Sequence, residues 1–203
     1  MKPNKQSGFT LIETLVAILI LTMTVGALLS LTANGFFTVR YARNQIIGDN
    51  LTQEALEYVR NMRDDEFMQG GTWQTFLDKM NVNSLGQTAT YVSGNASTHQ
   101  GCFGSDGCYV DPYTYDPTER FKACGSTCPY IAYYPSQYLY GYGGATYHFP
   151  QADGYETTYI RTLKVEESPS DPNQIVVTVT MSWMNGNTRR TVSQSIVLAN
   201  WHV

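Results

Sequence analysis

The first strong pattern in the chain is a long apolar run close to the first residue. Between positions 9 and 39 the only charged residue is Glu13. Positions 14–33 are all uncharged, and a helix of that length spans about 30 Å, the thickness of a bilayer's hydrocarbon core. A cleaved secretory signal has a shorter apolar region followed by a small-residue cleavage site, and no such site follows this run. The run therefore predicts a transmembrane helix over 14–33.

A second pattern continues the helix beyond the apolar run. Apolar side chains recur there at three- and four-residue intervals, while charged side chains fill the other faces. The apolar stripe consists of Val39, Ala42, Ile46, Ile47, Leu51, Ala55, Val59 and Met62. No proline occurs from 9 to 110, so nothing breaks the helix before Gly70-Gly71. The pattern predicts one helix over 9–66 with an amphipathic second half; a plain anchor helix followed by a coil is the alternative.

The C-terminal part of the chain has the period of a strand instead. Three runs rich in β-branched and aromatic residues cover 155–167, 174–184 and 188–200. In the middle run, alternate positions are apolar: Ile175, Val177, Val179, Met181 and Trp183. Such alternation is typical of a strand with one buried face. The pair Asn185-Gly186 favours a two-residue hairpin turn, so the runs predict an antiparallel meander.

Between these regions the periodicity is weak. Thr72 is the predicted N-cap of a short helix. Its apolar face would be formed by Trp73, Phe76, Leu77 and Met80. We interpret 67–154 as this helix and a long irregular region rich in Tyr and Cys. The predicted fold class is α+β: a long N-terminal helix, membrane-spanning in its first half and amphipathic in its second, packed on a C-terminal antiparallel three-stranded sheet over 155–203.

Four cysteines lie in the irregular region, at Cys102, Cys108, Cys124 and Cys128. Their spacing fits a zinc knuckle poorly, and an even number of cysteines favours two disulfides in an oxidising compartment. Three pairings are possible, of which Cys102–Cys108 with Cys124–Cys128 is slightly favoured because it is local. All four follow the transmembrane run, so the C-terminal side of the membrane span is predicted to lie outside the cell.

Composition and motifs exclude several functional classes. The chain has 13 basic and 17 acidic residues, a formal charge of −4, whereas a nucleic-acid-binding surface needs a basic stripe. No nucleophile elbow, Walker or dinucleotide-binding motif occurs, so we predict neither an enzyme nor a cofactor. His99, His148 and His202 have no metal-ligand spacing. The acidic residues Asp106, Asp111, Asp116 and Glu119 match no calcium loop, and a solvated acidic loop is favoured over a metal site.

Twelve of the 15 tyrosines lie between Tyr109 and Tyr159. Tyrosine offers rigid, amphipathic contact area and is common in recognition surfaces. A loop whose aromatic rings pack on one another explains the same cluster equally well. Recognition by the Tyr-rich region therefore stays open at this point.

The string Lys-Gln-Ser-Gly-Phe-Thr-Leu-Ile-Glu occupies positions 5–13. Here the chain resembles the type IV prepilin and pseudopilin family, whose mark is a short basic leader ending in Gly, then Phe-Thr-Leu-Ile-Glu opening a long apolar helix. The C-terminal part of the chain resembles minor pilins of the pilus-modification type. The shared pattern is Thr-x-Thr-x-Ser-Trp, a turn, Arg-Arg and a last strand that ends in Asn-Trp.

The resemblance implies roles for three residues. A prepilin peptidase would remove the leader 1–8 by cutting after Gly8 and would N-methylate Phe9. Glu13 would meet the Phe9 amine of a neighbouring subunit during assembly. In lipid, the ammonium and the carboxylate neutralise each other only when the two subunits are in register. A carboxylate in the first turn is also favoured by the helix dipole alone.

The resemblance also implies partners and a location. The partners would be other pilin subunits, the prepilin peptidase, the membrane, which the chain would cross once, and an inner-membrane assembly platform. The protein would lie in the cell membrane with its C-terminal domain outside, and in an extracellular fibre after assembly. Nucleic acid would be a partner only of a DNA-uptake receptor.

Two departures from the family favour a minor pilin or a secretion-system pseudopilin over a major pilin. The long helix has no proline midway, and no cysteine follows Cys128 to close a C-terminal loop. The alternative function is a fibre-tip binding module, an adhesin or DNA-uptake receptor, that uses the Tyr-rich region. A membrane-anchored enzyme is a third class, for which no catalytic constellation is found.

Overall fold

The protein is described here from a computed structural model. The structure describes residue 8 and residues 10–82, 88–93, 99–114, 120–143, 153–171 and 173–201. Its internal contacts divide the chain into two units, Met1–Asn44 and Gln45–Val203. The first helix, α1, covers Leu11–Met68 and therefore contributes to both units.

In the first unit, α1 is an exposed apolar helix. Every residue from 11 to 43 is exposed to solvent in the isolated chain. Its most apolar window has a mean hydropathy of 2.4, and none of that window is buried. Hydroxyl groups along the run, those of Thr14, Thr22, Thr24 and Thr32, donate hydrogen bonds to carbonyls three or four residues earlier. By length and composition this helix can cross a membrane, and no side-chain hydroxyl of these four would be unpaired in lipid.

In the second unit, one face of α1 is buried. The buried residues of the helix are Gly48, Leu51, Thr52, Ala55, Leu56, Val59 and Phe67. The predicted stripe is wrong in its first part, because Val39 and Ile46 are 66% and 60% exposed. A helix turns about 100° per residue, so both side chains lie roughly opposite Gly48. The first buried residue of α1 is Gly48, and the preceding Ile47 is partly buried against the cluster around Trp183.

A short helix follows, α2, Trp73–Met80. Thr72 caps it as predicted: its side chain accepts a hydrogen bond from the Thr75 amide, and the Thr75 hydroxyl accepts one from the Thr72 amide. This reciprocal pair satisfies two amides that the first turn leaves unpaired. Of its predicted apolar face, Phe76, Leu77 and Met80 are buried and Trp73 is partly buried.

Within the described residues, seven strands form one antiparallel sheet. They are β1, Cys108–Val110; β2, Phe121–Ala123; β3, Tyr130–Tyr134; β4, Leu139–Gly141; β5, Tyr155–Glu167; β6, Gln174–Asn185; and β7, Thr188–Ala199. The predicted meander of β5, β6 and β7 is confirmed, with Ile160 opposite Ser182 and Asn185 opposite Thr188. The sheet is larger than the three strands predicted, because the Cys- and Tyr-rich region adds four short strands. Of these, β3 and β1 pair directly with the outer edge of β5.

The predicted hairpin joins β6 to β7, but its position differs by one residue. The two central residues are Gly186 and Asn187, and Gly186 has a φ of +62°. A glycine with positive φ at the first central position is the requirement of a type II′ turn, whose twist matches the flanking strands.

The core of the second unit lies between α1, α2 and the sheet. Its larger cluster joins Val59 and Phe76 of the two helices to Leu163 and Val177 of the sheet. A smaller cluster surrounds Trp183, which is 1% exposed. α1 approaches this indole closely at Gly48, where an added Cβ would lie 3.0 Å from the Trp183 ring.

The four cysteines form two disulfides, Cys102–Cys108 and Cys124–Cys128. This is the local pairing that the spacing slightly favoured. Cys102 and Cys108 are fully buried and belong to the larger core cluster. The segment that carries Cys102 and Cys108 is thus part of the core of the second unit, whereas the sequence predicted only a long irregular region there.

Candidate processing and assembly site

The N-terminal junction is described in part. Gly8 is exposed, and no atom lies within 4 Å of the position that a Cβ would occupy. Phe9, the predicted N-methylated residue, lies outside the described residues, as do positions 1–7.

Thr10 lies immediately before Leu11, the first residue of α1. The Glu13 amide lies 3.1 Å from the Thr10 carbonyl oxygen and 3.4 Å from Thr10 Oγ1, and the Thr14 amide also donates to that carbonyl. Thr-x-x-Glu is the spacing of a capping box, in which the hydroxyl satisfies an amide of the first turn. The local sequence therefore sets where α1 starts.

Glu13 lies in the first turn of this helix. Its position favours a carboxylate, because the N-terminal end of a helix carries partial positive charge. The next charged residue along α1 is Arg40, and 27 residues of helix separate the two by about 40 Å. Within this unit's described residues, Glu13 therefore has no cation to neutralise it.

The surface around Glu13 is apolar. Leu11 is 78% exposed and Ile12 70% exposed, and exposed leucine and isoleucine side chains continue along the helix. An exposed apolar surface of this extent requires a lipid or protein partner. The site thus combines an accessible Gly8, one carboxylate and a helix that is not covered by its own chain.

A model of the prokaryotic N-terminal methylation motif matches residues 3–29. The chain carries the signature of type IV pilins. Together with the exposed apolar helix, this motif supports a pilin-like, membrane-inserted subunit, and it implies assembly with other pilins and processing by a prepilin peptidase. No curated protein and no solved structure gives a significant match.

The second unit of this pilin-like chain contains a buried polar cluster that sequence reasoning missed. Its centre is Arg161, which has no exposed surface. Arg161 Nη1 donates to the Leu51 carbonyl and to Glu54 Oε2, each at 3.1 Å, and Nη2 donates to the Val110 carbonyl at 2.7 Å. One guanidinium thereby joins α1, β5 and β1. The signal in the sequence was its position in β5, in phase with the buried Tyr159 and Leu163.

Asp111 belongs to the same region. It is 3% exposed, and its carboxylate accepts hydrogen bonds from the Tyr113 amide at 3.2 Å and the Tyr142 amide at 3.4 Å. Burial raises the pKa of Asp111 to about 6, although these amides and Arg161 lower it in part. The prediction of a solvated acidic loop is therefore wrong for Asp111, while Asp106 is exposed.

The other candidate metal ligands do not form a site in the part of the chain that the structure describes. Asp116, Glu119, His148 and His202 lie outside the described residues. His99 stacks on Tyr91 with ring centres 5.0 Å apart, and its Nε2 lies 3.8 Å from Glu167. No group of three or more possible metal ligands is found among the described residues.

Many of the tyrosines pack on one another. Ring centres lie 4.6 Å apart for Tyr109 and Tyr142, 4.8 Å for Tyr133 and Tyr140, and 5.7 Å for Tyr133 and Tyr155. Pairs at such distances stabilise a core beyond the area that they bury. Packing of the Tyr-rich region on itself, one of the two interpretations of the sequence, therefore occurs.

Proposed function

We propose that the chain is a minor pilin or pseudopilin, a structural subunit of a type IV pilus-like fibre. The leader 1–8 is cut after Gly8, Phe9 is N-methylated, and the subunit assembles through its N-terminal helix. The observation that carries the proposal is the fully exposed apolar helix directly after the Gly8 junction, with Glu13 as its only charge before Arg40. Such a helix suits a bilayer before assembly and a fibre core after it.

Glu13 sets the register of assembly in this proposal. Cleavage creates an α-amine at Phe9, four residues before Glu13. In lipid, both charges are costly, and each is neutralised by the opposite charge of a neighbouring subunit. The arrangement favours one axial offset between subunits, because other offsets leave both charges unpaired.

Two differences from the family pattern favour a minor pilin or pseudopilin over a major pilin. α1 has no proline, and the two disulfides join near neighbours in the middle of the chain. Before assembly the subunit crosses the membrane once, with its C-terminal unit outside, and meets the prepilin peptidase and the inner-membrane assembly platform. A tip adhesin or DNA-uptake receptor is less well supported, because the Tyr rings contact one another.

The proposal is tested by mass spectrometry of the mature chain from membranes and from purified fibres. The expected N-terminus is N-methyl-Phe9, and Gly8→Ala should slow or block cleavage. Gly26→Ala is the matched control, since it makes the same change inside the span, and it should be processed normally. An intact Met1 on the membrane-resident protein, or absence of the chain from fibres and pseudopili, would overturn the proposal.

A further inference from the structure

Three connections meet at one end of the second unit. They are the turn 135–138 between β3 and β4, residues 153–155 at the start of β5, and the β6–β7 turn. The Ser136 amide donates to Asp153 Oδ2 at 2.7 Å, and Tyr133 lies opposite Tyr155 in the sheet. The β6–β7 turn extends beyond Ser182, which aligns with Ile160 of β5. We call this the three-turn end.

α1 enters the second unit at the three-turn end. Gly48 contacts Trp183 and Val192, which flank the β6–β7 turn. At the opposite end of the unit, Arg63 Nη1 donates to the carbonyl of Ala199. The direction of α1 along the sheet is therefore fixed, with its C-terminal part far from the three turns.

The chain between the end of the apolar run and the second unit is short. The first charge after Glu13 is Arg40, and the second unit begins at Gln45. A connection of five residues spans about 18 Å at most, however it is folded. The polar headgroup layer itself adds roughly 5–8 Å outside the hydrocarbon core.

The side chains at the three-turn end have the chemistry of a membrane interface. Tyr138 is 81% exposed and Tyr155 is 56% exposed. Arg189 and Arg190, also exposed, follow the β6–β7 turn. Tyrosine is enriched at headgroup depth, where its ring is in an apolar layer and its hydroxyl in a wet one, and arginine binds phosphate.

The backbone at Tyr138 supports a specific use of this side chain. Among the described residues other than glycine, Tyr138 alone has a positive φ, at +57°. Bulky side chains rarely adopt this left-handed conformation, and residues that do so cluster at functional positions. The Tyr138 side chain is not buried in exchange, since it is the most exposed of the large apolar side chains that the structure describes.

We propose that the three-turn end rests on the lipid headgroups while the subunit is in the membrane. Tyr138 and Tyr155 lie among the headgroups, and Arg189 faces their phosphates. Two acidic residues at this end, Asp153 and Glu156, keep the surface from being a purely cationic patch, so tyrosine insertion is the main contact. The proposal rests on membrane insertion of the chain and goes beyond its role in a fibre.

The experiment uses the full chain in nanodiscs that contain phosphatidylethanolamine and phosphatidylglycerol. Replacements Tyr138→p-benzoylphenylalanine and Tyr155→p-benzoylphenylalanine are irradiated, and lipid adducts are counted by mass spectrometry. The matched controls are Tyr130→p-benzoylphenylalanine and Trp201→p-benzoylphenylalanine. Tyr130 lies in β3 opposite Ile160, which is about 17 Å along β5 from Tyr155. Leu19→p-benzoylphenylalanine reports insertion of the span. Adducts at positions 19, 138 and 155 should exceed those at 130 and 201 several-fold.

Each result has a defined meaning. Strong labelling at 19, with labelling at 138 and 155 no higher than at 130 and 201, would overturn the proposal and leave membrane insertion intact. No adduct at any position would overturn membrane insertion, and this proposal with it. Arg189→Glu should reduce labelling at 138 several-fold, whereas Arg60→Glu on the exposed side of α1 should not; equal yields would overturn the role of Arg189.

Discussion

At the scale of single residues, the second unit depends strongly on one buried guanidinium. Arg161 hydrogen-bonds to α1 through Leu51 and Glu54 and to β1 through Val110. Removing a charge from water is costly, and the cost is offset here by hydrogen bonds to carbonyls and a carboxylate. The ring of Tyr142 adds a cation–π contact at 5.8 Å.

Arg161→Met should destabilise the second unit by about 3 kcal/mol or more, because it leaves Glu54 and the buried Asp111 without their cation. Arg60→Met removes an arginine that is 41% exposed and pairs with Glu57, so it should cost less than about 1 kcal/mol. The free energy of unfolding is measured by urea titration of the full chain in detergent, followed by tryptophan fluorescence. Arg161→Met/Glu54→Met should regain part of the loss; equal losses for Arg60→Met and Arg161→Met would contradict this account.

Because of Asp111, the unfolding free energy of the second unit should fall as pH rises, whereas most carboxylates have the opposite effect. Its pKa is about 6 in the folded chain against an ordinary 3.8, so between pH 4 and pH 6 the unfolded chain loses this proton while the folded chain keeps it. Stability contributed by this group is therefore present below pH 4 and falls as pH rises to 6, by about 3 kcal/mol at most. The difference in unfolding free energy between wild type and Asp111→Asn should decline over that range.

The control for this titration is Asp106→Asn, which replaces an exposed carboxylate two residues before β1. Unfolding of the three proteins is compared at half-unit pH intervals in one buffer series. A difference between wild type and Asp111→Asn that stays constant from pH 4 to pH 6 would show that the buried carboxyl does not titrate there.

At the scale of elements, the docking of α1 depends on the absence of a side chain at Gly48. A Cβ there would lie 3.0 Å from Trp183 and 3.4 Å from Val192. Gly48→Val should therefore separate helix and sheet and cost roughly 1–3 kcal/mol, as overpacking does in other cores. Gly35→Val, in the same helix with open space around it, should leave the unfolding free energy of the second unit unchanged. Equal stability of the two variants would show that α1 can shift at no cost.

The two disulfides should differ in what they stabilise. Each closes a short loop, and the entropic contribution of such a loop is about 2 kcal/mol. Cys102 and Cys108 also form part of the core, whereas Cys124 and Cys128 lie at its margin. Cys102→Ala/Cys108→Ala should lower the stability of the whole unit, and Cys124→Ala/Cys128→Ala should expose mainly the segment around 124–128.

Limited proteolysis distinguishes these two outcomes. New cuts throughout the second unit are expected for the first pair and cuts confined to the 124–128 segment for the second. Cuts confined to 102–108 after loss of the first pair would show that this segment is a loop outside the core. Thiol titration and metal analysis of the exported wild type should find neither free cysteine nor zinc.

Sequence patterns predicted the elements that carry their own signal. The alternation in β6 and the Thr72 cap are local, so they can be seen without the fold. β1 and β2 have three residues each, too few to show a period, and Cys108 pairs with Leu163, far along the chain. Arg161 and Asp111 were missed because their burial is created by these distant pairings.

At the scale of the whole molecule, Glu13 should affect assembly and little else. Glu13→Ala removes a group that is costly in lipid, so membrane insertion should be unchanged or improved. Cleavage after Gly8 should be nearly unaffected, while incorporation into fibres should fall. Thr14→Ala, at the next position, is the matched control. The measurement is the ratio of chain in sheared fibres to chain in membranes; wild-type incorporation of Glu13→Ala would refute the charge-pairing account.

The place of β5 in the sheet has a consequence for the order of events during export. β5 has β6 on one side and β3 with β1 on the other, yet β1 to β4 all precede it in the chain. In the proposed topology they emerge first; β1 can then pair with β2, and β3 with β4, but neither pair can join β5 until 155–167 has followed. The cysteines are six and four residues apart and need no such partner. Oxidation can therefore precede the pairing of β1 and β3 with β5, so the region can complete its covalent links before it joins the long strands of the sheet.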